Sequence, residues 1–179
     1  MLNGIQLSSL LFLDESGINL SMTRTHAWSD VGQRALGSAP QNWGTTTTVI
    51  AALGLRGVVA PFALKGAVNG EIFENYVAQF LAPELQQNDL VIMDNLSAHK
   101  RPVVRELVEQ AGGWVMYLPP YSPHLSPIEL AWSKVKALLR SAAARTYESL
   151  ITSLAQALRA LTGSDVLGWF RHCGYLPCG

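Results

Sequence analysis

The chain has 179 residues, 49% of them apolar and 15% charged, which is enough for one well-cored domain and excludes a disordered segment. Lys plus Arg and Asp plus Glu both number 13, so the general basic excess of a dedicated nucleic-acid binder is missing. Contact with a polyanion then has to come from local clustering or from bound cations. No apolar run approaches the roughly 18 residues that span a bilayer, and no leader is evident, so the expectation is a cytoplasmic protein without a membrane partner.

Residues 9–13, Ser-Leu-Leu-Phe-Leu, form a wholly apolar run suited to a strand buried on both faces, and it stops at Asp14 before a Ser16-Gly17 turn. Residues 24–28 read as a second strand, 32–43 as a connection, and 45–53 as a β-branched strand. A turn at residues 54–57 returns the chain as residues 58–64, its hairpin partner. Here the period changes. Ile72, Phe73, Tyr76, Val77, Phe80 and Leu81 share one helical face behind Asn69 as a cap. Residues 90–93 are a second apolar run, again ending at an acid, Asp94. Residues 102–111 predict a helix with Val103, Val104, Leu107, Val108 and Ala111 inward, stopped by Gly112-Gly113. A short strand at 114–118 feeds a Pro-rich loop, a helix from Pro127 to about Arg140, and another over about 147–161.

The order β-β-β-β-α-β-α-β-α-α describes an α/β protein with a mixed sheet flanked by helices. No repeat, low-complexity tract or linker interrupts it, so residues 1–179 are expected to form a single domain. Cys173 and Cys178 lie near the end with no second pair of ligands to close a zinc site, and read as ordinary cysteines of a reducing compartment.

Three acids stand out. Asp14 and Asp94 each follow a buried strand, and if those strands are neighbours the two carboxylates emerge side by side at one sheet edge. Glu129 lies in the first turn of the helix opened by Ser126-Pro127. Ser126-Pro127-Ile128-Glu129 has two readings. As a capping box, Glu129 satisfies the Ser126 backbone N–H; as a ligand, the stiff Pro-rich lead-in aims it at a metal. Clustered carboxylates need a cation to stay ionised together, and a hard divalent ion takes oxygen ligands of this kind.

Leu13-Asp14-Glu15-Ser16-Gly17, then residues 93–100 (Met-Asp-Asn-Leu-Ser-Ala-His-Lys), then residues 118–129 with Pro-Tyr-Ser-Pro and Pro-Ile-Glu, resemble the catalytic core of DDE-type transposases. The likeness is to the bacterial insertion-sequence branch of the mariner-related superfamily. Residues 95–128, 34 in all, separate Asp94 from Glu129, the interval typical of that superfamily. The resemblance extends to the stretch from Ala60 to Glu71 and to the closing Cys173-Gly174-Tyr175.

It implies an RNase H-like fold with a mixed five-stranded sheet, and Mg²⁺-dependent DNA cleavage and strand transfer. Asp14, Asp94 and Glu129 would be both the catalytic acids and the ligands of two Mg²⁺ ions, with Mn²⁺ able to substitute. The implied partners are double-stranded DNA, both terminal inverted repeats and target, and further copies of the chain in a homo-oligomer on DNA. Relatives carry helix-turn-helix modules ahead of this core, so a separate or frameshift-fused helix-turn-helix product is expected, in a bacterial, nucleoid-associated setting. The alternatives are an inactive transposase remnant that binds DNA or a partner, or another two-metal RNase H-like nuclease.

His99 matches the family's histidine and either orients a carboxylate or phosphate or serves as a structural hydrogen-bonder. Lys100, Arg101, Lys134, Lys136 and Arg140 are candidate phosphate contacts, or else solvated surface charges. Trp132, one turn beyond Glu129, reads as core. Ser126 stands where the family commonly has Asn, and His124 where it has Asp.

Overall fold

The structure, a computed structural model, describes residues 6–41, 44–97 and 99–177. Cys178 and the end of the predicted connection at Trp43 lie outside the described residues. Five strands form one sheet: β1 (Leu10–Ile18), β2 (Thr47–Gly54), β3 (Gly57–Lys65), β4 (Leu90–Met93) and β5 (Trp114–Tyr117). Their order is β3-β2-β1-β4-β5. The β1–β2 and β2–β3 pairs are antiparallel, while β1–β4 and β4–β5 are parallel. Five helices cover it: α1 (Gly70–Tyr76), α2 (Pro102–Gln110), α3 (Pro127–Ala142), α4 (Tyr147–Arg159) and α5 (Gly163–His172).

Strand alternation divides the core into two layers. Leu10, Phe12 and Ile18 of β1 pack toward buried residues of α3, α4 and α5, among them Trp132, Leu150, Leu154 and Phe170. Leu11 and Leu13 pack toward Phe73, Tyr76, Val104 and Val108 of α1 and α2. Phe12 is fully buried, with its ring centroid 5.5 Å from that of Phe170 and 5.0 Å from that of Tyr175. Truncating such a ring to alanine costs about 3–5 kcal/mol. The buried runs that mark β1 and β4 in the sequence are therefore central strands, covered on both sides.

Four expectations need correction. Residues 24–28 form no strand; they are irregular and largely exposed, with Trp28 projecting fully into solvent. With no sheet edge beside them, their apolar content has nothing to pair with. The first strand does not end at Asp14 but runs to Ile18, because residues 12–18 pair with residues 47–53 of β2 after the parallel partner β4 has ended. A fifth helix, α5, follows the one predicted over 147–161. Its start is a capping box in which Thr162 accepts from the Asp165 N–H and Asp165 accepts from the Thr162 N–H. Val103, assigned inward, is exposed on α2, whose inner face is Val104 and Val108. The helix capped by Asn69 is as expected at its start, since the Asn69 side chain accepts from the Ile72 N–H at 2.8 Å. Beyond Tyr76 it widens into a π-helical turn over Val77–Leu81 and ends in a 3₁₀ turn carrying Pro83.

Candidate active site

Where β4 stops, β1 continues, and this offset builds the site. Phe12 lies opposite Ile92 in the parallel register, so two residues further on Asp14 comes level with Asp94. Asp14 shares the parity of Leu10 and Phe12 and therefore faces α3. There the Trp132 Nε1–H donates to Asp14 Oδ2 at 3.1 Å. Trp132 is buried in the core as its apolar character predicts, and it also holds a carboxylate. That second role leaves no signature in the sequence beyond the one-turn spacing from Glu129.

The third acid comes from the Pro-rich loop. The Leu118 N–H donates to the Met93 carbonyl at 2.8 Å, so the chain leaving β5 passes the end of β4 before it turns. Pro123–Leu125 makes a 3₁₀ turn, and α3 begins with Pro127 in its first turn. Tyr175, from the Cys-Gly-Tyr close, donates its hydroxyl to the Leu125 carbonyl at 2.8 Å while its ring packs at a tilt against Phe12 and Phe170. The tail thus pins the loop that aims α3. Burial raises the Tyr175 pKa to about 12, so it stays a donor at any working pH. Tyr175→Phe keeps the packing and removes this one bond. It is expected to cost about 1 kcal/mol in urea unfolding.

The capping box predicted at Ser126 does not form. Ser126 is extended and makes no side-chain cap, and the Glu129 N–H bonds to the Ser126 carbonyl instead. Ser126 is buried, whereas Glu129 is exposed. Of the two readings of Glu129, the cap is therefore set aside, and its carboxylate stands uncommitted in the first turn of α3. Asp14, Asp94 and Glu129 line a single cleft of about 380 Å³, walled by Leu13, Leu118, Pro119 and Pro120.

On the opposite side of Asp94 lies a buried network. His99 is completely buried, its Nδ1 2.6 Å from Asp94 Oδ1 and its Nε2 3.1 Å from Glu15 Oε2. Asp94 Oδ1 also accepts the Leu96 N–H at 3.1 Å. The Phe73 ring packs with its centroid 4.5 Å from that of the imidazole, and the Tyr117 hydroxyl donates to the His99 carbonyl at 3.0 Å. His99 is a satisfied buried group, and one of its partners is a carboxylate that lines the cleft. The sequence reading ends the strand at Asp14 and assigns Glu15 no role. The parity of Leu11, Leu13 and Glu15 on an extended strand was the available signal, because it points Glu15 into the layer that holds His99.

The basic candidates separate clearly. Lys134 is tied to Asp165 of α5 at 2.6 Å, a bond that lowers the Asp165 pKa to about 2. Arg101 is paired with Glu74 of α1. Lys100 is exposed beside the buried His99. Lys136 and Arg140 have no carboxylate partner among the described residues, and residues 129, 133, 136 and 140 fall on one stripe of α3. The bare cations therefore trail away from Glu129 along the same helix face.

Burial raises the Asp14 pKa; the Glu15 N–H opposes this, and the carboxylates of Glu129, Glu15 and Asp94 add to it, giving about 7. For His99, burial acts downward, but the hydrogen bond and charge of Glu15, then those of Asp94, outweigh it and raise the pKa. As the side chains lie, no group of three His, Cys, Asp or Glu among the described residues is gathered closely enough to hold one ion. The donor set still suits a hard divalent cation. It is made of carboxylate oxygens only, and the burial and, after it, the neighbouring negative charge that raise the Asp14 pKa are both offset by such a cation.

A family model described as DDE superfamily endonuclease matches residues 9–151. The chain belongs to the DDE superfamily of endonucleases. No curated protein matches it. Among solved structures, this DDE chain is similar to the Mos1 strand transfer complex, with 23% identity, 93% of this chain and 51% of that chain covered, and a TM-score of 0.73. It is similar to the mariner Mos1 paired end complex with Mg, at 22% identity, 92% and 53% coverage and a TM-score of 0.72. It also resembles the Mos1 transposase catalytic domain with Raltegravir and Mn, at 19% identity, 96% and 79% coverage and a TM-score of 0.66. The DDE chain spans about half the length of the Mos1 chains in the DNA complexes. These likenesses establish the RNase H-like fold: a mixed five-stranded sheet flanked by helices.

Proposed function

We propose that this chain is the catalytic domain, over residues 1–179, of an insertion-sequence transposase of the bacterial branch related to mariner elements. It carries out metal-dependent DNA cleavage and strand transfer. The observation that carries the reading is the meeting of Asp14, Asp94 and Glu129 in one cleft, from two adjacent parallel strands and a helix start. Membership in the DDE superfamily over residues 9–151 supports it. So does the likeness to Mos1 in its strand transfer complex and in its paired end complexes with Mn and with Mg.

In this reading Asp14, Asp94 and Glu129 hold two Mg²⁺ ions, which supply Lewis-acid activation of the attacking and leaving oxygens of a phosphodiester. The chain does the rest. Trp132 holds one oxygen of Asp14, while His99 and the Leu96 N–H fix Oδ1 of Asp94 and leave its Oδ2 for a cation. Glu129, exposed at the helix start and lining the same cleft, would be the third ligand. Lys136 and Arg140 receive the DNA backbone along α3. The proposed partners are double-stranded DNA and further copies of this chain. Trp28, Val31 and Leu36, fully exposed on the irregular segment between β1 and β2, support assembly with another chain.

Replacing both Lys136 and Arg140 with Ala is expected to weaken DNA binding about equally for all sequences. The slope of log K against log salt should become shallower by about 1–2. Filter binding or fluorescence anisotropy across a salt series reads this; an unchanged slope removes them from the DNA path. The function itself is tested by incubating the protein with element-end DNA and with an RNA–DNA hybrid, in Mg²⁺ or Mn²⁺, beside an Asp94→Asn control. Cleavage of element ends that disappears in the control is expected. Cleavage of the hybrid alone would assign a different nuclease, and cleavage surviving in the control would remove Asp94 from the site.

A further inference from the structure

Glu15 lies next to Asp14 in β1 but on the other face of the strand, opposite Ile50 of β2, inside the layer formed by α1 and α2. The Glu15 side chain is only 17% exposed, and a carboxylate drawn that far from water needs a polar partner. It meets the one fully buried histidine among the described residues, with Oε2 3.1 Å from His99 Nε2. The opposite nitrogen of the same ring is 2.6 Å from Asp94 Oδ1. The imidazole cannot swing away, because Phe73 packs on its face and Tyr117 holds its backbone carbonyl. Among the described residues no buried polar side-chain atom is left without a partner, so the network is closed. Its more open end is Asp94, whose side chain is 45% exposed at the cleft against 17% for that of Glu15.

We propose that Glu15 is a positioning residue of the metal site: through His99 it fixes the Asp94 carboxylate, with Oδ1 engaged in the interior and Oδ2 left for a cation. The inference rests on the reading of Asp94 as a metal ligand. It is an outer-shell arrangement of the kind in which a ligand's own hydrogen-bond partner sets its orientation, and loss of such a partner lowers metal affinity by about 10–100-fold.

The test measures Mn²⁺ affinity by calorimetry on the metal-free protein, with thermal unfolding beside it, for wild type, Glu15→Leu, Glu15→Asp, Glu15→Gln and Asp94→Asn. Glu15→Leu deletes the acceptor and is expected to bind Mn²⁺ about tenfold more weakly. Glu15→Gln keeps an oxygen at the same reach and is expected to restore most of the affinity. Glu15→Asp withdraws the carboxylate by one methylene and is expected to fall between them; if Glu15→Leu does not fold, the Asp and Gln pair carries the comparison. Wild-type affinity in both Glu15→Leu and Glu15→Asp, with only the melting temperature lowered, would make Glu15 a structural residue and overturn the proposal. Equal weakening in Glu15→Gln and Glu15→Asp would overturn it too, since the hydrogen bond would then not be the cause. Wild-type affinity in Asp94→Asn would instead overturn the metal-site reading on which the inference stands.

Discussion

Glu129→Ala is expected to unfold within about 1 kcal/mol of the wild type and to lose nearly all DNA cleavage. Both halves follow from the start of α3. Had Glu129 closed a capping box on Ser126, its removal would cost the helix a cap on the order of 1 kcal/mol. The structure has no such bond, since the Glu129 N–H goes to the Ser126 carbonyl and the side chain is exposed. What remains is the favourable position of an anion in the first helical turn, about 0.3–1 kcal/mol. The loss of a metal-holding carboxylate is of another size. Metal ions contribute several kcal/mol of charge stabilisation to such a displacement, and each 1.36 kcal/mol is about tenfold in rate. A fall of at least about 10²–10³-fold in cleavage is therefore expected, read by a gel assay on element-end DNA beside a urea unfolding curve. A variant that unfolds much earlier while cutting normally would return Glu129 to a structural role.

The same residue shows what a sequence can and cannot disclose about this fold. Asp14 and Asp94 were legible because each ends an apolar run, and a run buried on both faces belongs in the middle of a sheet. That β1 outlasts its parallel partner was not legible, because the polar half of the strand, Glu15-Ser16-Gly17, has the composition of a turn. Its extended shape is imposed from outside, by antiparallel pairing with Val49 and Ile50 of β2. Glu15 was missed for the same reason. Residues 24–28 erred in the opposite direction, with strand-like side chains and no neighbouring edge to pair with. The helix α5 did leave a signal: Thr162 and Asp165 at capping-box spacing, followed by Val166, Phe170 and Cys173 at helical intervals. By contrast, Lys134 and Lys136 are two residues apart and look alike as text. Only α5, by presenting Asp165 to the first, separates a structural ion pair from a cation without a carboxylate partner.

Divalent metal is expected to bind in competition with protons, with an apparent affinity that falls about tenfold per pH unit below about 7 and levels off above it. Asp14 is the group responsible, since burial and then its neighbouring carboxylates hold its pKa near 7 in the metal-free protein. The sign for stability follows from the same shift. Between the unfolded value near 3.8 and about 7, the unfolded chain releases the Asp14 proton while the folded chain keeps it. Rising pH therefore favours unfolding across that window. His99 acts in the same direction. Its folded pKa is raised above the ordinary histidine value of 6.5, so its contribution is complete below 6.5 and is lost as pH rises through the folded value. Metal-free protein is thus expected to melt at progressively lower temperature from pH 5 to pH 8, and saturating Mg²⁺ to restore it most at the alkaline end. Asp14→Asn removes the carboxylate but keeps an acceptor for the Trp132 N–H. It should remove the Asp14 part of the metal-free profile and leave the fall due to His99, stabilise the protein at pH 8 by on the order of 1–3 kcal/mol after allowance for partial solvent exposure, and abolish the response to Mg²⁺. Calorimetric titrations in buffers of different ionisation enthalpy count the proton directly: close to one released per site filled at pH 6 and close to none at pH 8. A proton count near zero at pH 6, or a metal-free melting temperature that rises with pH, would mean that Asp14 is already ionised in the cleft. The repulsion among these carboxylates would then not be what a cation relieves.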